Sequence, residues 1–322
     1  MKLRRLNDKN DLKIFAGNAN PALAQAIAKS MGLKLGSILV DRFSEGEVRV
    51  KIQEDARGRD IFLIQPTCPN VNENMMELLI MMDAFRQASA RRITVVVPYY
   101  GYARQDRKDQ PRVPITAKLV ANLITVAGAD RLLTMDLHAQ QIQGFFDIPV
   151  DHLYAFPVLS QHFLKKRIPN LTITSPDVGG IKMARAYAKM LNAELAVVDK
   201  RRFGPKDVEA MNLIGDVKGR NVLIPDDMIS TGGSLVEAVQ ALVRFGAKDI
   251  YACCTHAILS GNAVEKLQKS VLKEVVVTDT IPLAPEKRSG KIKVLSVAPL
   301  LGEAISRIHN EQSVTSLFEV HS

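Results

Sequence analysis

Tryptophan is absent from the 322 residues, aromatic side chains make up 5%, and Cys68, Cys253 and Cys254 are the only cysteines. So few rings, with no basic run interleaved among them, argue against a protein that stacks nucleobases. Three cysteines with no C-x-x-C pair and no zinc-site spacing give neither a disulfide framework nor a structural metal, and they fit a reducing cytosol. No apolar run approaches the roughly 20 residues that cross a bilayer. Lys2, Arg4 and Arg5 lead into polar residues 7–11 without the apolar core of a signal peptide. Neither a G-x-S-x-G elbow nor a Walker G-x-x-x-x-G-K-[ST] loop is present. The expectation is a cytoplasmic protein with no nucleic-acid or membrane partner.

What the chain does have is length for two domains, 47% apolar residues and 24% charged ones, the profile of a globular protein. Its formal net charge is +9. The cations Arg104, Arg107, Lys108, Lys200, Arg201 and Arg202 stand beside glycines and strand ends instead of spreading along one helical face. That placement suits a small polyphosphate better than a nucleic acid.

Short Val/Ile/Leu runs alternate with segments of helical period, the pattern of βα units around largely parallel sheets. Strands are expected at 13–16, 37–41, 61–65, 93–98 and 132–135, with helices at 21–31, 72–88 and 115–127. The second half repeats the plan, with strands at 172–174, 195–198, 222–224, 250–254 and 275–278, and helices at 181–191, 234–245 and 263–270. An interruption around Pro149 divides the chain into expected domains 1–150 and 151–322. Residues 300–318 have helical period and an apolar end, so this last helix is expected to pack back on the body.

The most informative stretch is 219–236. An apolar run ends in Asp226 and Asp227, and Ser230, Thr231, Gly232, Gly233 and Ser234 then open a helix. Glycines let the backbone approach an anion, free N–H groups at the helix start donate to phosphate, and the helix dipole favours the negative charge. The two carboxylates can accept from ribose hydroxyls. Three further polar segments follow expected strands, where open α/β sheets bind ligands. After 93–98 come Arg104, Gln105 and Asp106; Arg104 can fork onto a phosphate. After 132–135 come Asp136 and His138, and after 172–174 comes Asp177, a carboxylate suited to Mg²⁺, which takes few carboxylates beside phosphate oxygens and water.

These segments, together with Arg42-Phe43-Ser44-Glu45-Gly46-Glu47, Asp136-Leu137-His138-Ala139, residues 141–147 and Asp199-Lys200-Arg201-Arg202, closely resemble the ribose-phosphate pyrophosphokinase family over nearly the whole chain. The resemblance implies an α/β fold of two similar phosphoribosyltransferase-like domains, each a mostly parallel sheet flanked by helices. It implies an enzyme, a transferase, that moves the β,γ-pyrophosphoryl group of ATP to the 1-hydroxyl of ribose 5-phosphate. The product sugar pyrophosphate feeds nucleotide, histidine and tryptophan synthesis. Phe43, Glu45, Gly46, Glu47, Arg104, Gln105 and Asp106 are then ATP contacts, with the Phe43 ring against adenine. His138 and Asp177 contact Mg²⁺. Asp226, Asp227 and the 230–234 cradle hold ribose 5-phosphate, joined by Arg202, and Lys200 with Arg202 is catalytic on a loop that closes over the phosphates.

The resemblance further implies a homohexamer, with inorganic phosphate as activator and ADP as inhibitor at a second site between subunits, to which Arg57, Ser313, Thr315 and Phe318 correspond. Two positions depart from the common pattern. Ser230 replaces an Asp in the cradle and removes a negative charge near the sugar, and Glu45 stands where Asp or Asn is usual. A phosphoribosyltransferase, or a regulatory relative without catalysis, shares the cradle. The first has no use for the ATP segments, and the second is expected to lose the loop or metal residues.

Overall fold

The computed structural model describes residues 11–201, 210–288 and 290–317. They form two compact units. One takes 11–154, 280–282 and 296–317, and the other takes the remainder.

In the first unit, β1 (Leu12–Ala16), β4 (Asp60–Ile64), β5 (Arg92–Val97), β6 (Arg131–Met135) and β7 (Val150–Leu153) make a five-stranded sheet in that order. All its pairings are parallel. Every residue of β4 and all but the first of β5 are buried, as expected of strands covered on both faces. Helices α1 (Pro21–Ser30), α2 (Val71–Gln87) and α3 (Thr116–Val126) connect them. Strands β2 (Ile38–Arg42) and β3 (Val48–Ile52) stand apart as an antiparallel hairpin. The methionines of α2 divide by face. Met75, Met81 and Met82 are buried in the core while Met76 is 51% exposed.

Around Pro149 the structure has a paired strand instead of an interruption, since β7 follows that proline directly and lies against β6. The next helix, α4 (Phe156–Lys166), opens the second unit. Its other elements are β8 (Leu171–Ser175), α5 (Ile181–Met190), β9 (Glu194–Arg201), β10 (Ala210–Ile214), β11 (Asn221–Ile229), α6 (Gly233–Arg244), β12 (Ile250–Ala257), α7 (Ala263–Lys269), β13 (Glu274–Thr278) and β14 (Ile292–Leu295). The sheet order is β10-β9-β8-β11-β12-β13-β14, and β10 alone runs antiparallel to its neighbour. From β8 the chain moves outward to β9 and then returns to β11 on the other side. The carboxyl ends of β8 and β11 therefore flank a topological switch point, the usual ligand crevice of such sheets.

The terminal helix α8 (Ala298–His309) belongs to the first unit and packs on α1. Gly302 makes this possible, because a Cβ there would lie 2.5 Å from Ser30 Oγ. A charged clasp fixes the far end of α8. The fully buried Asp60 carboxylate lies 2.7 Å from His309 Nδ1 and accepts from Arg92 Nε at 2.8 Å. Arg92 also donates to the Ile308 carbonyl at 3.3 Å. Burial raises the Asp60 pKa, and the hydrogen bonds from His309 and then Arg92 outweigh it, leaving the pKa below its ordinary value.

A carboxylate held low stabilises the fold above its unfolded pKa, and that stability disappears as the pH falls through the folded value. Asp60→Asn should therefore cost about 3 kcal/mol at neutral pH. The deficit should shrink on acidification below about pH 4, as read by denaturant unfolding at a series of pH values. An equal deficit at every pH would remove the clasp from the stability account.

Candidate active site

The first unit builds a polar cleft at the carboxyl ends of β5 and β6, with Arg104 and Arg107 beside Asp106 and Asp109. Arg104, Gln105, Asp106, Arg107, His138 and Gln141 line a cavity of about 620 Å³. The loop after β5 is fixed from below. Tyr100 is buried and its hydroxyl donates to the Ala117 carbonyl at 2.9 Å. Gly101 N–H donates to Thr67 Oγ1 at 2.6 Å, and a Cβ on Gly101 would lie 2.6 Å from Val71. Burial alone drives the Tyr100 hydroxyl pKa far above its usual value, so it is a neutral donor.

Above that base the polar side chains are held singly. Gln105 N–H donates to the Tyr102 carbonyl at 2.9 Å, and its side-chain oxygen accepts from Thr116 Oγ1 at 2.5 Å at the start of α3. Asp106 accepts from Gln141 Nε2 at 2.9 Å. Arg104 and His138 are exposed to the cleft. Two forked cations and an imidazole around an open cavity are suited to a polyphosphate.

Phe43, Glu45, Gly46 and Glu47 lie on the turn between β2 and β3, and none of them lines this cleft. Phe43 N–H donates to the Glu47 carbonyl at 2.9 Å, and Gly46 has φ 99°, a value that glycine adopts without strain. Phe43 is 45% exposed, with the Arg49 guanidinium 5.3 Å from its ring centre. A fixed turn that presents a half-exposed ring, with Arg49 over it, can stack a flat partner on its open side. Glu45 ionises below its usual pKa because a backbone N–H and then Ser44 donate to it.

The second unit places its acidic and phosphate-binding groups together at the switch point. Strand β11 continues past the expected end at Ile224 to Ile229, carrying Asp226 and Asp227. Asp227 N–H donates to Asp226 Oδ1 at 2.9 Å. Burial first, then the charges of Asp227 and Asp177, raise the Asp226 pKa well above its usual value. The Ser230 hydroxyl lies 3.3 Å from that of Ser260. Gly232 has φ 71° and caps α6 without any side-chain hydrogen bond. Gly233 and Ser234 form the first turn, so its N–H groups face an incoming anion with the helix dipole behind them.

Asp177 lies after β8 and accepts from Gly180 N–H at 2.9 Å just before α5. Asp177 and the Asp226–Asp227 pair supply hard carboxylate oxygens, the donor type that Mg²⁺ takes a few at a time beside phosphate oxygens and water. Among the described residues no group of three or more His, Cys, Asp or Glu side chains is placed to hold a metal ion by itself. Any ion held here completes its shell with substrate oxygens or water.

Lys200 lies in β9 opposite Met211 of β10. The loop expected to carry Lys200 is therefore flanked by a two-stranded ribbon of β9 and β10. Arg202 and Phe318 lie outside the described residues. Arg57 is exposed, with Nη1 donating to Ser89 Oγ at 3.2 Å. Ser313 Oγ accepts from Thr315 N–H at 3.2 Å and its carbonyl accepts from Arg307 at 3.1 Å.

One feature of α3 was not anticipated from the sequence. Ile115, Leu119, Leu123 and Val126, at helical spacing, are between 37% and 77% exposed. The segment is apolar on both faces, so periodicity alone does not single out an outward stripe.

Two mostly parallel α/β sheets, one with an arginine-bearing cleft and the other with a carboxylate pair before a helix start that has no side-chain cap, define a protein that binds phosphorylated ligands. Residues 12–128 match the N-terminal domain of ribose phosphate pyrophosphokinase, and residues 197–319 match the phosphoribosyl synthetase-associated domain. A ribose-phosphate pyrophosphokinase of Gloeobacter violaceus is 55% identical over 315 residues, covering 98% of this chain and 95% of its own. That of Caldanaerobacter subterraneus is 57% identical over 310 residues, 96% of this chain and 98% of its own. The crystal structure of phosphoribosylpyrophosphate synthetase from Mycobacterium smegmatis superposes with a TM-score of 0.89 at 40% identity, over 94% of this chain and 99% of that one. The chain belongs to the ribose-phosphate pyrophosphokinase family.

Proposed function

We propose that the chain transfers the β,γ-pyrophosphoryl group of ATP to the 1-hydroxyl of ribose 5-phosphate, releasing AMP and 5-phosphoribosyl 1-pyrophosphate. The observation that carries this reading is the Asp226–Asp227 pair at the switch point, directly before the uncapped first turn of α6. Backbone N–H groups of that turn bind the 5-phosphate, and the carboxylates accept from the ribose hydroxyls and orient the sugar. The cleft of Arg104, Gln105, Asp106 and His138 takes the ATP phosphates, and Phe43 stacks on the adenine. His138 in the first unit and Asp177 in the second would each be a contact for Mg²⁺, which would supply charge neutralisation to the phosphate oxygens. Lys200 and Arg202 supply cationic stabilisation of the non-bridging oxygens, where positioning and electrostatics account for most of the acceleration. Ser230 carries no charge, so its contribution to the sugar site is limited to its hydroxyl and backbone.

The exposed α3 stripe supports a homo-oligomer, a hexamer by family likeness. By the same likeness Arg57, Ser313, Thr315 and Phe318 are assigned to a site for phosphate activation and ADP inhibition. No helix among the described residues is long and apolar enough to cross a membrane; the cytoplasmic location is proposed by family likeness. A phosphoribosyltransferase is the less favoured reading, because it leaves the cleft of Arg104 and His138 in the first unit without a ligand.

The test is a coupled measurement of AMP and sugar pyrophosphate from ATP and ribose 5-phosphate, with Mg²⁺ present or chelated and with phosphate present or omitted. Equal amounts of both products, lost on chelation and reduced at least about 10³-fold in Lys200→Ala, are expected. Nucleotide binding without either product would leave only a regulatory relative.

A further inference from the structure

From the geometry of β7 we infer that His152 is a positioning residue for the nucleotide cleft: it holds the turn that presents His138. The inference rests on the reading of that cleft as the ATP site. In the turn between β6 and the 3₁₀ segment Gln140–Phe145, Asp136 has φ 40°, a left-handed backbone at a non-glycine residue. Such a conformation costs about 1 kcal/mol or more and persists only where surrounding contacts fix it.

The contacts come from β7. The Asp136 N–H donates to the Leu153 carbonyl at 3.0 Å. The next N–H, that of Leu137, has a side-chain acceptor instead, His152 Nε2 at 2.9 Å. Both Leu137 and His152 are buried, so this N–H would be costly to leave unpaired. Accepting through Nε2 places the ring proton on Nδ1, so the Gln143 amide nitrogen 3.2 Å from Nδ1, itself a donor, is a neighbour and not a hydrogen-bond partner in this tautomer. Tyr154, two residues on and therefore on the same face of the strand, packs against the His152 ring at 4.6 Å, and its hydroxyl accepts from Gln140 Nε2 at 3.3 Å. Each alternate residue of the Asp151-His152-Leu153-Tyr154 stretch thus braces the segment that carries His138 and Gln141.

In this role His152 acts through the Leu137 N–H. Only the acceptor atom matters for that role, which separates it from plain packing. In His152→Phe the ring remains and the acceptor is lost, and kcat/KM for ATP should fall about tenfold, the scale of a small misplacement of a binding group. The KM for ribose 5-phosphate should stay within about twofold. His152→Gln restores an acceptor and should recover most of the loss. His152→Met, flexible and without a strong acceptor, replaces the Phe variant should that ring fail to pack.

Arg104→Ala runs beside them. If it leaves the KM for ATP unchanged, the nucleotide reading of the cleft fails and the role of His152 fails with it. If Arg104→Ala is impaired while a folded Phe or Met variant keeps native ATP kinetics, the positioning role alone is overturned. A Gln variant as impaired as Phe overturns it as well, since the acceptor would then not be what matters.

Discussion

Asp226→Asn is expected to cripple the enzyme and stabilise the protein at once. Burial and the charges of Asp227 and Asp177 already hold the Asp226 pKa well above its usual value, so its ionised form is costly to the ligand-free fold. A carboxyl group raised in this way favours the folded state at low pH and loses that contribution as the pH rises from the unfolded pKa through the folded one. An amide of the same shape carries no such charge. Thermal unfolding of Asp226→Asn near pH 7.5 should therefore lie roughly 2–4 °C above the native protein, the shift expected of about 1 kcal/mol in a chain of this size. The gain should vanish in acid, where the native carboxyl is protonated too.

Function moves the other way. An acceptor that binds hydroxyls as a carboxylate is replaced by an amide with half its accepting capacity, and kcat/KM for ribose 5-phosphate should fall about 10²-fold. Asp227→Asn should show the same kinetic loss with a smaller stability gain, because burial is the leading cause of strain at Asp226. Native kinetics in both variants would remove the pair from the sugar site. Lowered melting in Asp226→Asn at neutral pH would show that the carboxylate is paid back by contacts in the free protein.

The cradle was legible because its chemistry and its conformation coincide. Asp226 and Asp227 follow an apolar run, and only glycine accommodates the left-handed turn at 232 cheaply. The strand that presents the pair was read too short, ending before Pro225, because proline normally stops a central strand. The structure resolves the conflict. Pairing of β11 with β8 ends at Leu223, while pairing with β12 continues through Pro225↔Cys253 to Ile229. Proline's missing N–H falls where β8 has already diverged, and that divergence opens the switch crevice.

Other elements were hidden by tertiary context. Strand β7 is short, follows a proline and carries Asp151 and His152, so no apolar run announces it. Its identity depends on pairing with β6 and on a histidine that serves a backbone N–H. Strand β3 reads Val-Arg-Val-Lys-Ile, a proper alternation, yet it pairs only with β2 in an exposed hairpin and lacks the burial that marks the parallel strands. The clasp of Asp60, Arg92 and His309 joins residues 249 positions apart, a pairing that no local pattern encodes. Residues such as Arg104 and His138 could be picked out by their place after strands. That Gln141 and Thr116 hold Asp106 and Gln105 required the coordinates.

The placement of Arg104 leads to the second large effect. Its side chain is exposed in the cleft, and the loop beneath it is fixed by Tyr100, Gly101 and Gln105 through other residues. Removing it should leave the fold intact, with melting changed by no more than about 1 °C, as at most surface positions. A guanidinium fork on phosphate oxygens, by contrast, contributes both charge and direction. Arg104→Ala should lower kcat/KM for ATP by about 10²–10³-fold. Arg104→Lys should recover the charge but not the fork, and should stay at least about tenfold below the native enzyme. Raising the salt concentration should weaken the native enzyme's ATP affinity more than that of Arg104→Ala, because the variant has one cation fewer to screen. An alanine variant within threefold of native would reassign the polyphosphate contact to Arg107 on the same wall. A lysine variant equal to native would mean that charge alone, without the planar geometry of arginine, is what this position supplies.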